Sequence, residues 1–326
     1  MSGAASPQLS VVMPALGNHS VLARVLDGYE RQAAAERFEV IVAADRAEPD
    51  PAAIERLLAG RPFAARMEAG TVAGASGARN AGWRAARAPL VLFTDSDTIP
   101  TPGLVAEHLA WHRRFPAEEV AVLGLVRWAP GIRVSPFMRW LEQGVQFDFQ
   151  SIPGEEASWA HLYSSNCSLK RRFVERLGGY DEQRLPYGYE DLDLGYRGRE
   201  LGLTVKFNRR AVVDHWREMT VAQWRARAPR LAVSEWRFCQ LHPDVAPWFL
   251  RMFASAAAAP PGGRLAAALT RAVPRGTPWL GERVWRRAGL HWRQQIAPEF
   301  LRAWEAAVAG RPPELAPASS AQRERG

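Results

Sequence analysis

Two carboxylates separated by one residue, Asp95 and Asp97, follow directly on the apolar run Pro89-Leu90-Val91-Leu92-Phe93. The run is short, β-branched and aromatic, and reads as a buried strand. In extended backbone, residues i and i+2 point the same way, so the two carboxylates face one ligand together. Like charges held this close are costly without a cation or a cluster of donors to neutralise them. Hard oxygen ligands suit Mg²⁺ or Mn²⁺, ions that commonly bridge a carboxylate to a diphosphate. Taken alone, Thr94-Asp95-Ser96-Asp97 fits a plain polar turn after a strand equally well.

Three further groups can do chemistry. Glu190 and Asp191 open a predicted helix, where the free amides and the helix dipole favour acids without any functional reason. Tyr189, Leu192, Leu194 and Tyr196 surround them, however. A carboxylate in apolar surroundings has its pKa raised and serves as a general base. His215, in Asp214-His215-Trp216, follows a predicted strand. A lone histidine is most often structural, but imidazole suits Mn²⁺ if His215 meets Asp97 in space. Arg79, in Gly77-Ala78-Arg79-Asn80-Ala81-Gly82, offers a forked bond to a phosphate or carboxylate, or a place on a helix surface.

These residues need elements to position them. Hydrophobic patterning predicts strands over 9–14 and 38–43, helices over 21–32, 52–58 and 75–86, and the strand ending at Phe93. That rhythm is the rhythm of an open parallel sheet, whose ligands sit outside the carboxyl ends of the strands. Pro14, Asp45 and the Asp95/Asp97 pair all fall at such ends. Downstream, the pattern predicts helices over 101–115, 169–177 and 190–201, strands over 120–126, 203–207 and 211–213, and irregular chain over 130–158. Beyond Trp216 the composition turns to Arg, Trp and Ala at helical spacing. The chain is thus expected to be α/β over 1–216, α-helical over 217–312 and disordered in the Pro/Ala/Ser-rich stretch 313–326.

Bulk composition narrows the class. The chain has 326 residues, and Cys167 and Cys239 show neither metal-ligand nor redox spacing, which predicts a reducing compartment. Residues 1–8 lack the charge and apolar core of a signal peptide. The most apolar long stretch, 248–273, is interrupted by Arg251, Pro260-Pro261 and Arg264, so no membrane span is expected. Charge is lopsided: from Arg217 onward there are 17 arginines against 8 acids, whereas the first 216 residues carry 25 basic and 26 acidic groups. Seven of the 13 tryptophans fall within 217–312. Such a region packs helices, lies on an anionic membrane or stacks on sugar rings; it matches no nucleic-acid-binding motif, and no nucleic acid partner is expected.

The order of Ser10-Val11-Val12-Met13-Pro14, Val40-Ile41-Val42-Ala43-Ala44-Asp45, Gly77–Gly82, Thr94–Asp97, Gly178-Gly179-Tyr180-Asp181-Glu182 and Tyr189–Leu194 resembles family 2 glycosyltransferases. The resemblance implies a GT-A-type, Rossmann-like mixed but mostly parallel sheet flanked by helices. It implies an inverting, metal-dependent transfer of one sugar from a nucleotide-diphosphate sugar, with Mg²⁺ or Mn²⁺. Pro14, Asp45, Arg79, Asp95 and Ser96 would bind the nucleotide-sugar, and Asp97 and His215 the metal. Asp191 would be the base and Glu190 would orient the acceptor, with Tyr189, Asn166 and Arg197 on the acceptor side. The acceptor would be a glycan, a lipid-linked glycan or a small molecule, and the location cytoplasmic or peripheral at the inner membrane face. The Gln-x-x-Arg-Trp signature of processive synthases is missing, since Pro136 stands where it needs Gln before Arg139-Trp140. A polyprenyl-phosphate sugar synthase and an inactive nucleotide- or glycan-binding relative are the alternatives.

Overall fold

Continuous apolar runs bounded by breakers bury on both faces, and here they build the centre of a sheet. The structure, a computed structural model, describes residues 6–32 and 37–312. The expected disorder of 313–326 lies outside the described residues. By contacts the described chain divides into two units, one of residues 6–132 and 151–217 and one of residues 133–150 and 218–312.

In chain order the first unit begins with β1 (Leu9–Ala15), α1 (His19–Glu30), β2 (Phe38–Ala44), α2 (Pro51–Leu58), β3 (Ala64–Ala69), α3 (Ala75–Ala85) and β4 (Leu90–Thr94). It continues with β5 (Thr98–Pro100), α4 (Leu104–Arg114) and β6 (Val120–Trp128). The second unit's α5 (Pro136–Leu141) intervenes in the stretch expected to be irregular. The first unit then resumes with β7 (Glu156–Ala157), β8 (Asn166–Lys170), α6 (Arg171–Leu177), α7 (Glu190–Glu200) and β9 (Thr204–His215).

Among the described residues nine strands form one sheet in the order β3-β2-β1-β4-β8-β6-β9-β5, with β7 also on β9. β3, β2, β1 and β4 are mutually parallel. β8 is antiparallel to both β4 and β6, and β6 and β9 are parallel. The mixed, mostly parallel α/β sheet is the fold class the sequence implies. Every residue of β2 and β4 is buried, which is why both read as apolar runs; the exception in β2, Glu39, is bonded by Ser10 and Arg66.

Three local readings change. β3 has no β-branched residue and is a half-exposed strand at the end of the sheet order, so it carries no pattern to find. β8 (Asn166–Lys170) takes chain given no element over 166–168 and the first two residues of the helix expected over 169–177, because Asn166 and Ser168 interrupt its apolarity. Both are fully buried and bond His108, and Ser168 also bonds His112, so their polarity is satisfied inside the protein. The two short strands expected over 203–213 are one strand, β9, with a register shift opposite Gly124/Leu125.

The second unit joins α5 to α8 (Val221–Leu241), α9 (Trp248–Ala258), α10 (Arg264–Leu269) and α11 (Gly281–Val308). Its core includes Phe253 and Phe300, 4.9 Å between ring centroids, and a second aromatic pair, Trp140 and Trp292, 5.6 Å apart. α8 starts in a capping box, with Thr220 and Gln223 exchanging side-chain and backbone bonds.

Candidate active site

The carboxyl ends of β1, β2 and β4 lie side by side, and the start of α7 is brought to them. β5 turns back along β9 so that Thr98 pairs with His215. The β4–β5 turn is locked by Thr98, whose hydroxyl donates to the Asp95 carbonyl at 2.8 Å and accepts from the Asp95 amide at 3.1 Å. This register sets Asp97 Oδ1 3.4 Å from His215 Nε2. Trp128, opposite His215 on β6, stacks on its ring with centroids 5.4 Å apart. Arg217 Nη1 stands 3.4 Å from the second Asp97 oxygen. Burial raises the Asp97 carboxyl, but His215 and Arg217 outweigh it and hold it at about 2.

Arg79 is not on the surface. It is 4 % exposed, and it donates Nη2 to Asp95 at 2.8 Å and Nη1 to Glu190 at 2.9 Å. One guanidinium therefore joins the strand-end acids to the helix-start acids. Burial opposes its charge, and Asp95, Asp191 and Glu190 overcome that opposition.

Asp191 accepts from the Ser164 amide at 2.9 Å and from the Ser164 hydroxyl. The Ser164 and Tyr180 hydroxyls are 2.6 Å apart. Burial pushes the Asp191 carboxyl up to about 7; Arg79 pulls it down and Glu190 pushes it further up. A carboxyl poised there changes charge near neutral pH, the property of a general base.

Hydrogen bonds hold the loop before α7 to the start of α3. The Ser76 amide donates to the Pro186 carbonyl at 3.2 Å, and the Ser76 hydroxyl to the Leu185 carbonyl. Gly74, at φ +113°, permits the approach: a Cβ there would lie 2.3 Å from the Pro186 oxygen. Asn80 clamps the 178–182 turn, donating to the Tyr180 carbonyl at 2.9 Å and accepting from the Tyr180 amide at 3.0 Å. Tyr189 begins α7 from a left-handed conformation, φ +64°.

The remaining expected residues divide. Pro14 is half-buried at the end of β1, and Ser96 is half-buried between the two aspartates. Asp45 is adjacent but committed: its oxygens accept from the Ala47 amide at 2.8 Å and the Gly74 amide at 2.7 Å. Asn166 and Arg197, expected on the acceptor side, both bond within the protein. The fully buried Asn166 amide is spent on the Ala211 and Leu125 carbonyls and His108. Arg197 bonds Asp193 and the Leu177 and Gly179 carbonyls, bracing α7.

Sequence reading missed Ser164, Asn80, Arg217 and Glu48. Glu48 accepts from the Gly17 amide at 2.6 Å and bonds His19 at 3.0 Å, shaping the turn after Pro14. Asn80 and Arg217 sit beside named motifs, which is a usable signal; Ser164 carries none.

Asp97 and His215 form an oxygen–nitrogen donor pair that suits Mn²⁺ or Mg²⁺. Among the described residues no cluster of three or more His, Cys, Asp or Glu has metal-binding geometry.

The mixed sheet, with acids at the carboxyl ends of its parallel strands, has the form of a GT-A-type α/β fold. The family description "Glycosyl transferase family 2" matches residues 10–177, just over half of the chain, and the chain belongs to that family. Validoxylamine A glucosyltransferase of Streptomyces hygroscopicus subsp. limoneus is 28% identical over 284 residues, covering 76% of this chain and 60% of that protein. The chain thus spans about three fifths of the length of that curated relative. Mannosyltransferase PcManGT from Pyrobaculum calidifontis, in complex with GDP-Man and Mn²⁺, superposes with TM-score 0.59 at 19% identity, over 91% of this chain and 87% of that one. S. aureus TarS 1–349 in complex with UDP-GlcNAc gives 0.51 at 13% identity, over 93% and 92%. These likenesses show the GT-A fold.

Proposed function

We propose that the protein is an inverting glycosyltransferase that moves one sugar from a nucleotide-diphosphate sugar to an acceptor hydroxyl. The observation that carries this reading is Arg79, buried between Asp95 and Glu190. It makes one site of two acidic clusters almost a hundred residues apart in sequence. Family membership and the named sugar transferases among the relatives support the donor class.

The donor would lie over the strand ends, with Pro14, Asp45, Asp95 and Ser96 toward the nucleoside. Asp97 and His215 would hold Mg²⁺ or Mn²⁺. A bound divalent ion supplies neutralisation of the charge that develops on the leaving diphosphate. Asp191 takes the acceptor proton as the acceptor oxygen bonds to the anomeric carbon and the carbon–oxygen bond to the diphosphate breaks. A single displacement of this kind inverts that carbon. Glu190, fixed by Arg79, keeps the start of α7 in place and raises the proton affinity of Asp191. A carboxyl held near neutrality fits a hydroxyl acceptor, which must lose a proton, better than a phosphate acceptor, which need not. An acceptor carried on a lipid suits the arginine- and tryptophan-rich second unit.

The test is thermal stability against a panel of nucleoside diphosphates, with and without Mn²⁺, on wild type and Asp97→Ala. A ligand at a hundred times its Kd adds about 2.7 kcal/mol of folding stability. One nucleotide is expected to stabilise the wild type in the presence of metal and to fail with Asp97→Ala. No shift with any nucleotide in either protein would sink the donor site.

A further inference from the structure

Between Asp244 and Glu282 the chain carries no acidic residue and four arginines, Arg251, Arg264, Arg271 and Arg275. Seven large apolar side chains stand exposed among the described residues, and five of them fall in this same stretch: Trp248, Leu265, Leu269, Trp279 and Leu280. Trp279 is 91% exposed and Leu265 74%. α9 and α10 each turn one face inward, burying Phe249, Phe253 and Ala256 on α9 and Ala266 on α10. Their other faces carry Trp248, Leu265 and Leu269 with Arg251 and Arg264, all exposed. A lone exposed leucine is ordinary; five large apolar residues among arginines, with no acid between, mark a contact surface.

The same unit holds a cleft of about 300 Å³ walled by Trp140, Trp248 and Trp285. Arg275, Arg286 and Arg293 line it. Arg275 pairs with Glu282 at 2.7 Å. Arg286 and Arg293, two turns apart on α11, form no ion pair among the described residues; Glu282, which also lines the cleft, acts on Arg286 from a distance, and Arg293 Nε donates to the Gly289 carbonyl at 3.1 Å. Gly289 lies between them, where a Cβ would meet Trp140 Nε1 at 2.8 Å, so the helix presents its backbone to the indole and leaves the cleft open.

We propose that this face of the helical unit docks on an anionic membrane surface, with Trp279, Leu265 and Leu280 entering the interface and the cleft arginines taking lipid phosphate. The exposed arginines and the two cleft arginines without an ion pair favour an anion, and the exposed indole and leucines of the same stretch of chain favour a hydrocarbon boundary; an anionic lipid supplies both. A second copy of the chain is a poor occupant, because it would set four arginines against four. Among the described residues no helix is long and apolar enough to cross a membrane, so the contact is interfacial. The proposal does not depend on the sugar-transfer reading.

Flotation of the full chain with two sets of vesicles tests it: pure phosphatidylcholine, and an equal mixture of phosphatidylcholine and phosphatidylglycerol. Wild type is expected to float with the mixed vesicles and to remain behind with the neutral ones. Arg264→Gln with Arg271→Gln should weaken binding roughly 30-fold, from the usual contribution of an arginine near an anionic surface. Trp279→Ser with Leu265→Ser, both at exposed positions, should abolish flotation while leaving Tm unchanged. Equal binding to both vesicles, binding to neither, or unchanged binding by both double variants would overturn the proposal. Displacement by soluble glycerol phosphate at equal phosphate concentration would overturn it too, in favour of a small-anion site. So would a dimer that the Trp279→Ser/Leu265→Ser variant loses.

Discussion

Asp191 shows what burial does to one side chain. Its carboxyl sits at about 7 rather than 3.8, so between those values the folded protein holds a proton that the unfolded chain has lost. Stability contributed by this group is therefore present at low pH and falls as pH rises from about 4 to about 7, then stays level. Asp191→Asn removes the titration. Its Tm relative to wild type should climb through that window and plateau above it, as a pH series of thermal melts will read. Activity should move the opposite way: kcat/KM of wild type rises tenfold per unit up to about pH 7, because the base must be ionised, and Asp191→Asn loses about 10²- to 10⁴-fold in kcat. A variant as active as wild type would remove Asp191 from the mechanism. Arg79 makes the complementary case. Arg79→Met leaves the buried Glu190 without its cation, a loss that typically costs about 3–5 kcal/mol, and the half-buried Asp95 adds little to it; urea denaturation measures the sum. Arg79→Lys should not restore it, since an ammonium lacks the fork that reaches both carboxylates.

At the scale of elements, the site depends on how closely α3 meets the loop before α7. Gly74 is the contact point, and its positive φ and the proximity of the Pro186 carbonyl both exclude a side chain. Gly74→Ala should cost about 1–3 kcal/mol in backbone strain alone. It should weaken donor binding as well, because the Gly74 amide holds Asp45. Calorimetry with the stabilising nucleotide separates the two effects, and unaltered binding would show that the loop does not transmit the displacement. What was legible in the sequence follows the same physics. β1, β2 and β4 are buried on both faces and announced themselves as apolar runs. β8 is as central, yet its Asn166 and Ser168 serve His108 and His112, so it looked polar. The acids at the site were legible because two carboxylates in a row at a strand end are costly and therefore conspicuous. The residues that hold them, Ser164 and Asn80, bond partners 27 and 100 residues away, and no local pattern reports a partner at that distance.

For the molecule as a whole, charge and chemistry are divided along the chain. Residues from Arg217 onward carry 17 arginines and 8 acids, and the preceding 216 residues are nearly neutral. Salt should act on these parts differently. The Debye length is about 10 Å at 0.1 M and about 3 Å at 1 M ionic strength. Exposed groups such as Arg264 and Arg271 act on a membrane across solvent, so raising salt over that range should lower vesicle binding by more than tenfold. Asp97 and His215 have side chains 14% and 7% exposed and stand 3.4 Å apart, and a pair this buried is screened by salt far less than exposed charges are. The stabilisation conferred by nucleotide and metal should therefore persist where vesicle binding has gone. Flotation and thermal melts on one preparation at both salt concentrations make the comparison. If both signals fell together, the arginine-rich half would be contributing to the donor site; if neither fell, the membrane contact would rest on Trp279, Leu265 and Leu280 rather than on charge.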